Sequence, residues 1–118
     1  MPEIQDILDQ ITECPGNAGA VLATADGLLM ASAGALHGDV AAAAAASLAL
    51  AGQEALAALG ERPWAEQLIW SDTQVWYQTQ LRGTHVLLLV SDDHGHAGAL
   101  RWTARRMAQQ LEPSLLQL

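Results

Sequence analysis

Asp92, Asp93, His94 and His96 fall within one short stretch, and carboxylates with imidazoles are the side chains that hold divalent ions. Their spacing matches no fixed ligand pattern: no cysteine pair accompanies them, and no two histidines sit one helical turn apart. A solvated loop carrying a helix cap accounts for the same residues, and no metal site is expected. Ser71-Asp72, Cys14 and His85 supply the types of a nucleophile, an acid and a base. Nothing in the sequence joins them, and no nucleophile-elbow motif surrounds any serine. Gly16, Gly19 and Gly27 lack the spacing and the lysine of a phosphate-cradling loop. No catalytic residue, no bound nucleotide and no cofactor is therefore expected. Two features point toward protein binding instead. Arg101, Arg105 and Arg106 cluster near the end of the chain, Arg101 and Arg105 one helical turn apart, and form either a solvated face or a patch for an acidic partner. Trp64, Trp70, Trp76 and Trp102 stand in a chain without phenylalanine, and aromatic anchors serve both cores and interfaces. Trp76 and Trp70 are the first choices for an interface.

The elements that must position these residues follow from periodicity. Ile4, Ile7, Leu8 and Ile11 recur at helical spacing among acids and glutamines, so a first helix runs to about Glu13 and ends at Cys14-Pro15-Gly16-Asn17. Ala18 to Thr24 and Leu28 to Ser32 flank Asp26-Gly27 as a β-hairpin. Asp39 stands where an N-cap belongs, and strong helix formers continue to Gly60. In this second helix Leu48, Ala51, Gly52, Ala55, Leu56 and Leu59 form one stripe, Leu50 lies on another side, and residues 41 to 46 are all alanine. Small residues on more than one face let two neighbours approach closely, which suits a sheet on one side and a partner helix on the other. Two strands surround Ser71-Asp72-Thr73, one through Leu68, Ile69 and Trp70, the other through Val75, Trp76 and Tyr77. Arg82-Gly83-Thr84 makes a further turn, and the unbroken apolar run Val86 to Val90 reads as a central strand covered on both faces. Leu100, Met107 and Leu111 mark a last helix. The order is αββαβββα.

The chain has 118 residues, 51% apolar and 15% charged, which is one domain's worth of sequence with enough apolar content to fold. A single domain over 1–118 is expected. Thirteen acids against five arginines, with no lysine, give a formal charge of −8, which disfavours nucleic acid and anionic lipid. One cysteine fits a reducing compartment, and Met1-Pro2-Glu3 opens an acidic helix rather than a secretory signal, so a cytoplasmic location is expected. The run from Val40 to Leu59 has the length of a membrane span, but alanine is weakly apolar and Ser47, Gln53 and Glu54 interrupt it. No membrane insertion is expected.

Several stretches, taken together in this order, resemble the roadblock / dynein light chain family. They are Pro15-Gly16, Gly19-Ala20-Val21-Leu22, Asp26-Gly27-Leu28, Ala31-Ser32, Leu81 through Leu87, and Ala97 through Arg101. The similarity spans nearly the whole chain and is nearest the bacterial MglB-like regulators of GTPases. It implies an α/β sandwich in which a five-stranded antiparallel sheet carries helices on its faces. It also implies a homodimer in which the long second helices pack antiparallel and the third strands pair across the twofold. Ala43, Ala46, Ser47, Leu50, Glu54 and Trp70 would then form the dimer interface, with Trp76, Arg101 and Arg105 as candidates for partner binding. The implied activity is non-catalytic: a regulator or scaffold that binds a Ras-like small GTPase and modulates its nucleotide cycle. A ligand-sensing domain and a purely structural dimerisation domain are the alternatives. The tryptophan content departs from the family's pattern.

Overall fold

The computed structural model describes residues 3–36, 38–62, 66–81 and 85–116. The elements are α1 (Ile4–Leu8) continuing as a 3₁₀ stretch (Asp9–Glu13), β1 (Gly19–Thr24), β2 (Leu29–Gly34), α2 (Gly38–Ala58), β3 (Glu66–Trp70), β4 (Val75–Gln80), β5 (His85–Ser91), a 3₁₀ turn (His94–His96) and α3 (Ala97–Leu115). This is the expected αββαβββα order. All strand pairs are antiparallel, and the sheet runs β2-β1-β5-β4-β3. The apolar run Val86 to Val90 lies in its middle and is buried throughout, because helices cover both faces there.

Alternation along the strands sends neighbouring side chains to opposite faces. On one face Val21, Ala23, Val86, Leu88 and Val90 meet Ala41, Ala42, Ala45 and Ala49 of α2. On the other, Leu22, Tyr77, Leu87 and Leu89 meet Ile7, Leu8 and Ile11 of the first helix and Leu100, Met107 and Leu111 of α3. Each fully buried leucine in these layers contributes about 1.5–3 kcal/mol relative to exposure. The β1–β2 hairpin closes as expected at Asp26-Gly27: the Gly27 amide donates to the Thr24 carbonyl at 3.0 Å, and Gly27 has φ +92.

Three sequence expectations change. The first helix is α-helical only to Leu8 and tightens into the 3₁₀ stretch before the Cys14-Pro15 break. Asp39 is not the N-cap of α2, because the helix already includes Gly38; its carboxylate sits in the first turn, where it still complements the positive end of the helix. Of the expected stripe through Leu48, Ala51, Gly52, Ala55, Leu56 and Leu59, only Leu48 joins the layer that packs on the sheet. The sheet takes Ala41, Ala42, Ala45 and Ala49, whereas Ala51, Ala55 and Leu59 are exposed. A run of six alanines offers every face equally, and the sheet selects the stripe that lets the backbones approach most closely. Trp64 and the Arg82-Gly83-Thr84 turn lie outside the described residues.

Candidate functional site

The residues with chemical potential are engaged in holding loops. Asp92 accepts the Asn17 amide at 2.8 Å, and the Ser91 hydroxyl donates to the Pro15 carbonyl at 2.8 Å, so the β5–α3 loop clasps the loop entering β1. Asp93 accepts from the Gly95 amide at 3.1 Å and faces His96 Nδ1 at 2.8 Å, and these contacts, His96 foremost, hold its carboxyl below the usual range. His94 follows at the start of the 3₁₀ turn. Among the described residues no three histidine, cysteine or acidic side chains converge on one point.

Ser71 accepts from the amides of Thr73 and Gln74 in the β3–β4 turn, at the Ser91 end of the sheet. His85 opens β5 at the opposite end, about 20 Å away for a seven-residue strand. Cys14 is buried and its thiol donates to Thr103 Oγ1 at 3.3 Å. The structure therefore does not assemble the three into a reactive group. Gly16 and Gly27 serve turns, and Gly19 begins β1.

The arginines of α3 are fasteners. Arg101 Nε lies 2.9 Å from Glu66 Oε1 and Arg105 Nη2 lies 3.4 Å from the same oxygen, which also accepts the Tyr77 hydroxyl. Glu66 begins the edge strand β3, so this cluster ties the edge to α3. The Arg101 hydrogen bond is the main cause that holds the Glu66 carboxyl at about 2, with Tyr77 and Arg105 adding to it and burial opposing. Burial first, and then the neighbouring Glu66 carboxylate, pushes the Tyr77 phenol up to about 12. Arg106 pairs with Glu13 and stacks 4.6 Å above the Trp102 ring. Glu66 and Tyr77 were not among the residues singled out from the sequence, because the arginines that give Glu66 its role lie 35 and 39 positions away.

This cluster sets an acid sensitivity. The unfolded Glu66 carboxylate takes up a proton near 4.5 and the folded one only near 2, so its contribution is complete above pH 5 and disappears as pH falls through 4.5 to 2. With partly exposed guanidinium partners the effect is on the order of 1–2 kcal/mol. Thermal unfolding of wild type and Glu66→Gln, followed by circular dichroism from pH 6 to pH 2, should show a stability difference that shrinks toward zero at the acid end. A difference independent of pH would contradict the ion-pair account.

The opposite situation holds on the outward side of α2. Only four of its 21 residues are buried, and none from Leu50 onward. Ala43, Ser47, Leu50 and Glu54 are exposed in a row and Ala46 is half-buried, with Leu50 57% exposed. By length and apolar composition alone α2 would suffice to cross a membrane. An open groove of about 460 Å³ separates this face from the hairpin turn, lined by Asp26, Gly27, Ala43, Ala46, Leu50 and Gln53 among others.

Beside it runs the uncovered edge strand β3, whose Leu68, Ile69 and Trp70 are 36%, 37% and 53% exposed. Gln67 joins the two: its Nε2 donates to the Leu48 carbonyl of α2 at 2.6 Å and to Gln78 Oε1 at 2.9 Å. Gln67 and Ile69 therefore face the α2 side of the sheet, next to the helix, while Leu68 and Trp70 face the α3 side. The strand register separates two tryptophans. Trp76 pairs with Ile69 and packs with the α2 layer, whereas Trp70 pairs with Val75 on the face that α3 covers. Trp70 is therefore grouped with α2 only through its edge position, and Trp76 lies on the sheet face opposite Arg101 and Arg105.

The family model of the Roadblock/LC7 domain matches residues 3–92. No curated protein matches the chain in sequence. Among solved structures, Myxococcus xanthus MglB superposes with a TM-score of 0.84 at 20% identity, over 98% of this chain and 96% of that one. A roadblock/LC7 domain from Streptomyces avermitilis gives 0.81 at 19% identity, over 96% and 95%. The gliding protein MglB from Thermus thermophilus gives 0.78 at 23% identity, over 92% and 84%. The family match takes in α1, all five strands and the long helix α2, and with the αββαβββα order it makes the chain a member of the Roadblock/LC7 family.

Proposed function

We propose that the chain is a non-catalytic homodimeric regulator or scaffold, one domain over 1–118, that binds a Ras-like small GTPase in the cytoplasm and modulates its nucleotide cycle. The observation that carries this reading is the bare outward face of α2 around Leu50, with the edge strand β3 beside it and its Ile69 exposed on the same side of the sheet. A chain in water gains by covering such a surface, and a second copy supplies an equally smooth helix and an equally open strand. In this arrangement Ala43, Ala46, Ser47, Leu50 and Glu54 line the helix contact, and the groove beside Gly27 is filled by the partner copy rather than by a small molecule. The GTPase comes from the family resemblance. Trp76, Arg101 and Arg105 remain the partner candidates, with the two arginines acting through the Glu66 cluster rather than as free cations.

The test is capture of a GTPase by immobilised protein from lysate loaded with GDP or with a non-hydrolysable GTP analogue, followed by calorimetry on the recovered pair. Two chains per GTPase are expected; recovery of no GTPase in either state overturns the reading. The protein alone should give no binding isotherm with GTP or ATP, because the sequence holds no phosphate-cradling loop. A stoichiometric isotherm would assign it a different activity.

A further inference from the structure

The second open edge of the sheet lies opposite β3, and it differs in charge. Residues 1–61 carry eight acids and no lysine or arginine, while the remaining residues balance five acids with five arginines. The net charge of −8 therefore belongs entirely to the half that forms α1, the hairpin and α2. β2 is the edge strand of that half.

We propose that the outer edge of β2 docks an extended, positively charged peptide segment, which adds to the sheet as a sixth strand. The backbone geometry comes first. The Ala35 amide donates to the Ala18 carbonyl at 3.2 Å, and the register continues through Gly34↔Gly19, Ala33↔Ala20, Ser32↔Val21 and Ala31↔Leu22. Antiparallel pairs alternate between exchanging hydrogen bonds and facing outward, so Ala33 and Ala31 bond to β1 while Ser32 and Gly34 turn their amides and carbonyls away from it. One of these groups already has an outside donor: the Gln5 side chain reaches the Ser32 carbonyl at 2.9 Å. The Gln5 amide, from α1 packed beside β2, thus already fills the position of an incoming strand's N–H, and a docking strand displaces this exposed side chain.

Edges that are not meant to pair usually carry lysine, proline or an inward-facing charge. Leu29-Met30-Ala31-Ser32-Ala33-Gly34 has none of these; its one irregularity, the register slip that leaves Met30 unpaired, lies at the turn end, away from Ser32 and Gly34, and Leu28 beside it is 64% exposed. Charge then selects the occupant. Gln5 Nε2 also contacts Asp9 Oδ1 at 3.1 Å, which puts a carboxylate beside the Ser32 carbonyl on the α1 side. A second copy of the chain would bring two such carboxylates face to face, and like charges so placed oppose association. A basic segment is attracted by Asp9 and by the acid-only half around it, with main-chain hydrogen bonds supplying affinity.

The probe is a labelled peptide of about eight residues, alternating lysine with valine and threonine, titrated into the full chain and followed by anisotropy and by amide NMR shifts. Binding should weaken as salt is raised, should perturb Ser32 and Gly34 first, and should be at least tenfold weaker for a glutamate-for-lysine peptide. Ser32→Pro removes an outward N–H without removing a bond to β1, and should also weaken binding at least tenfold while circular dichroism shows an intact fold. A peptide N-methylated on alternate residues tests the same hydrogen bonds without altering the protein and should fail to bind. Equal binding of the acidic peptide, undiminished binding of the N-methylated peptide, shifts centred on β3, or no binding of the lysine peptide at millimolar concentration would each overturn the proposal. None of these outcomes depends on whether a GTPase is bound.

Discussion

Leu50→Arg should convert the proposed dimer into a folded monomer and abolish the proposed GTPase capture. In one copy Leu50 is 57% exposed, so arginine costs the isolated fold little, within about 0.5 kcal/mol. In the proposed pairing the same position lies in the helix contact, where a long guanidinium holds apart two small-residue faces that must approach closely, even with Glu54 one turn away. The dimer dissociation constant should rise at least a hundredfold, about 2.7 kcal/mol. Ala46→Arg should act in the same direction from the half-buried side of the groove. Light scattering reads the mass and circular dichroism the fold. A Leu50→Arg protein that remains dimeric would remove α2 from the interface. A folded monomer that still bound the GTPase with full affinity would leave the regulator reading intact but would refute a binding surface built from both copies.

Gly34→Ala will be the most destabilising single-methyl change in the hairpin. Gly34 has φ +76, and a Cβ there would stand 2.2 Å from the Ala18 carbonyl oxygen and 2.9 Å from Gly19 Cα, both backbone atoms that cannot swing aside. Left-handed strain and the clash together should cost about 3 kcal/mol or more. Gly60 provides the control, with φ +77 but nothing within 4 Å of the added carbon, so Gly60→Ala should cost only about 1 kcal/mol. Urea denaturation of both variants separates strain from collision. Equal losses would show that the hairpin yields at Ala18.

What could be read from the sequence was what is local. The Asp26-Gly27 turn, the apolar run of β5 and the spacing of Ile4, Ile7, Leu8 and Ile11 each carry their structure within a few residues. The packed stripe of α2 could not be read, since alanines at six consecutive positions mark no direction, and only the sheet chooses Ala41, Ala42, Ala45 and Ala49. The sides of Trp70 and Trp76 depend on how the turn at Ser71 sets the register. Once Trp70 pairs with Val75, strict alternation sends Trp76 to the other face, and no composition rule reveals that pairing. Arg101 and Arg105 looked like a free cationic patch because their shared partner, Glu66, is distant in sequence and arrives only when β3 lies along the sheet edge. The candidate surface was legible as smooth helix; its link to β3 through Gln67 was not.

Coverage of α2 and β3 by a second copy underlies both the dimer and the GTPase surface proposed above, and it can be checked by weighing the wild-type protein. Light scattering behind a sizing column at micromolar concentration should give twice the 12.5 kDa of the chain. A mass of 12.5 kDa would mean that the bare helix and the open strand are stable in water without a partner copy, and would contradict that coverage.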